Sequence, residues 1–186
     1  MPDPNDHPSP ARKPRWRRWA LDLALIALIV GGVQWWKARP LVSGEAPPLA
    51  GVSLSGAAVA LGDYRGQPVL VHFWASWCPV CTLMDGAIDA IAKDHPVITV
   101  ALQSGSPGEL RDVMRAAGQD FPVLPDPDGE IARRWGVAGV PTTFVLDAAG
   151  QIRYSTVGAS SGPGLRARLW MADQAEPASP TTKNAH

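Results

Sequence analysis

The stretch VLVHFWASWCPVC, Val69 to Cys81, governs the reading of the chain. An apolar run from Val69 to Trp74 ends in a short polar turn. The only two cysteines follow, Cys78 and Cys81, with Pro79 and Val80 between them. A buried strand that delivers C-x-x-C to the start of a helix is a redox arrangement. Residues i and i+3 at a helix start share a face, which brings two sulfurs towards bonding distance. The first cysteine meets unpaired backbone N–H groups and the positive end of the helix dipole, which favour a thiolate. The second lies deeper in the first turn and is better shielded. One sulfur is therefore suited to attack and the other to resolve.

Composition narrows the alternatives. The chain has 186 residues, with 17 Lys and Arg against 17 Asp and Glu. It is long enough for one domain with appendages, and its balanced charge gives no footprint for nucleic acid. Two cysteines cannot staple a small scaffold or fill a structural zinc site without histidines. His7 and His186 lie in the tails, which leaves His72 and His95 within the fold.

Upstream, residues 1–14 are rich in Pro, Asp and Asn, a composition that predicts disorder. Arg12, Lys13, Arg15, Arg17 and Arg18 form a basic cluster around Trp16. The run WALDLALIALIVGGVQWW, residues 19–36, then approaches the length of about 17 to 25 apolar residues that spans a bilayer. Asp22 and Gln34 lie near its ends, and Trp19, Trp35 and Trp36 suit an interfacial belt. The positive-inside rule places the N-terminus in the cytoplasm and the rest outside. A cleaved signal peptide is the competing reading, but Lys37, Arg39 and Pro40 stand where a small-residue cleavage site belongs. The expected organisation is a basic cytoplasmic tail over 1–18, a transmembrane anchor over 19–36 and a proline-containing linker over 37–48. A globular domain over 49–173 and a disordered tail over 174–186 follow.

Within that domain, residues 51–61 read as a hairpin and 64–68 as a turn before the central strand. Leu83, Met84, Ala87, Ile88, Ile91 and Ala92 have helical spacing over 82–94. Pro79 fits the first helical position, and Gly86 is a weak point of the helix. Residues 96–102 are β-branched and apolar, a second buried strand. A loop over 103–108 leads into a helix over 107–119, with Leu110, Val113, Met114 and Ala117 on one face. Residues 121–124 are extended, 125–129 turn and 130–135 form a short helix. Strands at 142–146 and 151–157 form a hairpin, and a helix over 164–172 closes the domain. Alternating elements predict an α/β domain with a sheet and helices on both of its faces.

Two of these segments carry a resemblance. FWASWCPVC, residues 73–81, resembles the active-site stretch of thioredoxin-fold proteins, and GVPTTF, residues 139–144, resembles their loop holding a cis-proline. Within that superfamily the chain is similar to the membrane-anchored, extracytoplasmic thiol-disulfide oxidoreductases of the TlpA and ResA type. His72-Phe73-Trp74 and Cys78-Pro79-Val80-Cys81 resemble the suppressor-of-copper-sensitivity D branch. The resemblance implies a thioredoxin-like fold with a central mixed sheet. Cys78 would be the nucleophile, Cys81 the resolving thiol and Pro141 the cis-proline. Val140 would offer backbone hydrogen bonds to a substrate strand, with Trp77 and Pro79 as further substrate contacts. It implies no cofactor beyond the Cys78–Cys81 disulfide couple, and no metal. The implied partners are protein thiols and disulfides, together with a membrane electron-relay protein of the DsbD or ScsB type.

Three departures from the pattern matter. His72 stands where thioredoxins have a buried Asp, so it is either a proton relay or inert packing. Pro79 follows the first cysteine directly instead of preceding the second. Met84 occupies the place of the acidic residue of cytochrome c maturation reductases, with Asp85 one step later on a different helix face. That departure counts against a haem-specific reductase. From another class, Cys78, Cys81 and His72 could form a soft copper site, making the domain a copper-binding module or chaperone. No Pro-x-x-x-Thr-x-x-Cys run supports a peroxidase.

Overall fold

The computed structural model describes Trp19, residues 22–29, Gly32 and residues 41–175. The chain divides into two units, Met1–Trp36 and Lys37–His186. In the first, the described residues are helical. Among the described residues no helix is long and apolar enough to cross a membrane. The basic tail, the rest of the 19–36 run and residues 176–186 lie outside the described residues.

The second unit is built from eight strands and five helices among its described residues. β1 (Gly44–Glu45), β2 (Ala50–Val52) and β3 (Ala58–Ala60) precede a 3-10 turn over Leu61–Tyr64 and the central strand β4 (Val69–Trp74). Then come α1 (Pro79–Thr82), α2 (Asp85–Ala92), β5 (Val97–Leu102), α3 (Pro107–Ala117) and β6 (Val123–Asp126). The last elements among the described residues are α4 (Glu130–Arg134), β7 (Thr142–Leu146), β8 (Gln151–Val157) and α5 (Gly162–Asp173). β2 and β3 form a separate hairpin, and the main sheet runs in the order β1-β8-β7-β4-β5-β6. β4, β5 and β6 are parallel, whereas β7 is antiparallel to β4 and β8 to β7. The expected mixed sheet is therefore present.

All six residues of β4 are buried, as a strand covered on both faces requires. Alternation divides its side chains. Leu70 and Trp74 join α2, α3 and α5 residues, including Ile88, Ile91, Leu110 and Leu165, on one face. Val69, Val71 and Phe73 join Ala132, Trp135 and Phe144 on the other. The second layer is thinner: α4 and the N-terminal hairpin cover it. Its centre is an aromatic trio with Phe73–Trp135, Phe73–Phe144 and Trp135–Phe144 centroids 5.7, 5.8 and 5.0 Å apart. Tilted and edge-on pairs of this kind each add about 0.5–1.5 kcal/mol beyond their buried area.

Four expectations need correction. The linker expected over 37–48 is part of the domain from residue 41. β1 pairs with β8, Gly44 opposite Ile152, the Ala46 N–H donates to the Gly150 carbonyl at 3.1 Å, and Leu41, Val42 and Ala46 pack on the core. Unpaired backbone beside a sheet edge gains more from pairing than from hydration in a tether. The helix expected over 82–94 breaks at Leu83–Met84, two residues before Gly86. There the Leu83 N–H bonds the Cys81 carbonyl, closing α1 early, and Leu83 is left 81% exposed while Met84 turns into the core. On α3, Leu110 and Met114 are buried but Val113 faces outward. Finally, β6 continues through Pro125 to Asp126, into the expected turn. It is the last strand of the sheet, where a proline's missing N–H costs no ladder bond.

The sheet register gathers one end of the molecule. Trp74 lies opposite Ala101, and Phe73 opposite Thr142. The segments following β4 and β5, and the segment preceding β7, therefore emerge together.

Candidate redox site

Cys78 stands at this end as the N-cap of α1, with extended backbone (φ −98°, ψ 106°) and Pro79 next to it in the first turn. Its sulfur accepts the Cys81 N–H at 3.3 Å, so an unpaired helix donor is spent on the sulfur. The Cys78 N–H donates to the Ala75 carbonyl at 3.1 Å. Both cysteines are unbonded thiols, Cys78 6% and Cys81 1% exposed. The expected order of shielding is observed.

The loop before β7 closes over Cys78. The Val140–Pro141 peptide bond is cis, and the Cys78 thiol donates to the Val140 carbonyl at 3.8 Å. Thus the second signature faces the first. Trp77 is 60% exposed beside the cysteine turn, its indole N–H donating to the Gln103 carbonyl at 3.0 Å. Pro79 is exposed as well.

Burial pushes the Cys81 thiol up to about 12, reinforced by its hydrogen bond with Cys78 and by repulsion from Cys78 and Asp85, while the Ala75 backbone opposes the rise. Cys81 is a protonated thiol at neutral pH. Asp85, partly buried in the first turn of α2, has its own carboxyl raised by burial. Sequence reasoning set Asp85 aside on a different helix face. Asp85 follows Cys81 by four residues, a spacing that shares a helix face, and its charge is the last of the contributions that raise the Cys81 thiol. An acidic group does act on Cys81.

His72 is fully buried between Leu70 and Trp74 on the same sheet face as the cysteines. Its Nδ1 shares a 2.9 Å hydrogen bond with Thr143 Oγ1, its register partner on β7. Burial pulls the imidazole down to about 4, so it is neutral at physiological pH. The copper set is not assembled: among the described residues no three His, Cys, Asp or Glu side chains gather into a metal-ligating group. Sequence reasoning also missed Gln103 and Ser104, which touch the turn from the end of β5. Their contacts are long-range in sequence and carry no local pattern.

Against known proteins, residues 42–155 match the AhpC/TSA family. A thioredoxin-like protein of Haemophilus influenzae is 32% identical over 155 residues, covering 82% of this chain and 92% of its own. A thiol:disulfide interchange protein DsbE of Allochromatium vinosum is 33% identical over 162 residues, 83% and 86% of the two chains. Among solved structures, the exposed lipoprotein thioredoxin Etrx1 of Streptococcus pneumoniae superposes with a TM-score of 0.60 at 27% identity. That match covers 67% of this chain and 99% of the other.

Proposed function

The chain belongs to the AhpC/TSA family and is a thiol-disulfide oxidoreductase of the DsbE and ResA type; from that premise we propose how its own residues carry the exchange. Cys78 gives up its proton and attacks one sulfur of a substrate disulfide, forming a mixed disulfide and releasing the other sulfur as a thiolate. Cys81 then loses its proton and attacks Cys78, and the substrate leaves as a dithiol while the Cys78–Cys81 bond forms. The observation that carries this reading is the asymmetry of the pair. Cys78 meets the Cys81 N–H and the Val140–Pro141 loop, whereas Cys81 is the more deeply buried thiol, raised to about 12.

Trp77, Pro79, Val140 and Pro141 form the substrate face, with the Val140 backbone offered to an extended strand. His72 ties β4 to β7 as a neutral group. Asp85 adds a small repulsion that helps Cys81 keep its proton. The couple itself serves as the redox group. The basic cluster and the apolar run at 19–36 support a single-pass anchor in the inner membrane. The N-terminus is then cytoplasmic and the domain periplasmic. Because that compartment is oxidising, a membrane relay of the DsbD or ScsB type returns electrons to the pair. The resemblance of Cys78-Pro79-Val80-Cys81 to the suppressor-of-copper-sensitivity D branch supports a link to copper tolerance. Asp85 beside Cys81 favours a second reading, reduction of thiols during cytochrome c maturation.

Replacing Cys78 with Ser is expected to abolish insulin disulfide reduction, and Cys81→Ala to accumulate mixed disulfides on non-reducing gels. Retained activity in Cys78→Ser removes the mechanism.

A further inference from the structure

The turn that carries the cysteines is held by a loop that no motif marks. β5 ends at Leu102, and Gln103 follows in left-handed backbone, φ 46°, which few residues other than glycine adopt. Its N–H donates to the Asp126 carbonyl at 3.0 Å, and its carbonyl accepts the Trp77 indole N–H at 3.0 Å. Ser104 is buried. Its hydroxyl donates to the Leu102 carbonyl at 2.9 Å and accepts the Ser76 N–H at 3.0 Å. Ser76 Oγ returns a bond to the Ser104 carbonyl at 3.3 Å.

The peptide unit supplying the Ser76 N–H also carries the Ala75 carbonyl, which accepts the Cys78 N–H at 3.1 Å. One buried hydroxyl therefore holds one end of a peptide whose other end holds Cys78. Trp77 is mostly exposed, so burial alone does not fix its ring. The bond to Gln103 and the paired serines do. A contact ring set in place before association loses less freedom on binding.

We propose that Leu102, Gln103 and Ser104 form a positioning loop that presets Trp77 beside Cys78 for polypeptide substrates, with Ser104 as its positioning residue. This rests on the reading of Cys78 as the nucleophile. A small disulfide makes few contacts beyond the sulfurs and depends on the loop less than a polypeptide disulfide does.

The test compares the reduced full chain reacting with insulin and with oxidised glutathione, for wild type, Ser104→Ala, Trp77→Phe and the double variant. Trp77→Phe keeps an aromatic surface, though a smaller one, and removes the indole donor's bond. In each single variant the ratio of the insulin rate to the glutathione rate falls about fivefold, the worth of one net hydrogen bond, with the fall carried by KM. The double variant falls no further than the worse single, because both changes release the same ring. A Ser104→Ala loss shared equally by both substrates is a general structural effect and overturns the proposal, as does an unchanged ratio or a multiplicative double variant. If Ser104→Ala does not fold, Trp77→Phe alone decides by the same ratio. Failure of the underlying reading is distinct: wild type then reacts with neither disulfide.

Discussion

Replacing His72 with Gln removes a titrating group from the centre of β4 and leaves a polar side chain facing Thr143. Burial draws the imidazole from 6.5 down to about 4. Between those values the unfolded chain takes up a proton that the folded chain refuses. The fold then binds fewer protons, so stability falls as pH drops below 6.5. The fall ceases once the folded group protonates near 4. The full span amounts to about 3 kcal/mol. From about pH 7 to about pH 5 the single-site linkage gives about 2 kcal/mol. Urea unfolding at these two pH values, under reducing conditions, measures it. Wild type is expected to lose about 2 kcal/mol more than His72→Gln over that interval. Equal losses in the two proteins would refute the reasoning, as would an imidazole that titrates at its ordinary value in the folded protein by NMR.

Two other expectations concern the thiols and the N-terminus. With Cys81 raised to about 12, its thiolate fraction at about pH 8 is about one in ten thousand. Peptide mass mapping of the reduced protein is therefore expected to show iodoacetamide labelling Cys81 far more slowly than a free cysteine. Asp85→Asn, which removes a repelling charge, is expected to quicken it. Labelling at the rate of free cysteine contradicts the burial argument. For the anchor, alkaline extraction of membranes is expected to leave the chain in the pellet, and release into the supernatant excludes a spanning 19–36 segment.

The parts legible in the sequence are those written locally. β4 is a continuous apolar run, the cysteines are three apart at a helix start, and Gly139-Val140-Pro141-Thr142 announces the facing loop. The β7–β8 hairpin is bracketed by its turn residues. What escaped notice is set by distant partners. Gly44 and Glu45 look like linker until β8, over a hundred residues later, supplies their hydrogen bonds. The break at Leu83–Met84 has no proline or glycine of its own to announce it. Ser104 reads as ordinary loop because its partner Ser76 becomes its neighbour only once β4 and β5 pair.

The central claim is that Cys78 and Cys81 act as one couple, and equilibrium redox titration of the full chain addresses it most directly. The chain is equilibrated with glutathione or dithiothreitol buffers of graded ratio, and free thiols are counted by mass after acid quench. A single reversible transition is predicted, with both thiols lost together and a two-electron slope of about 30 mV per tenfold. Two thiols that stay reduced at every ratio, or that form separate glutathione adducts with no Cys78–Cys81 bond, would contradict it.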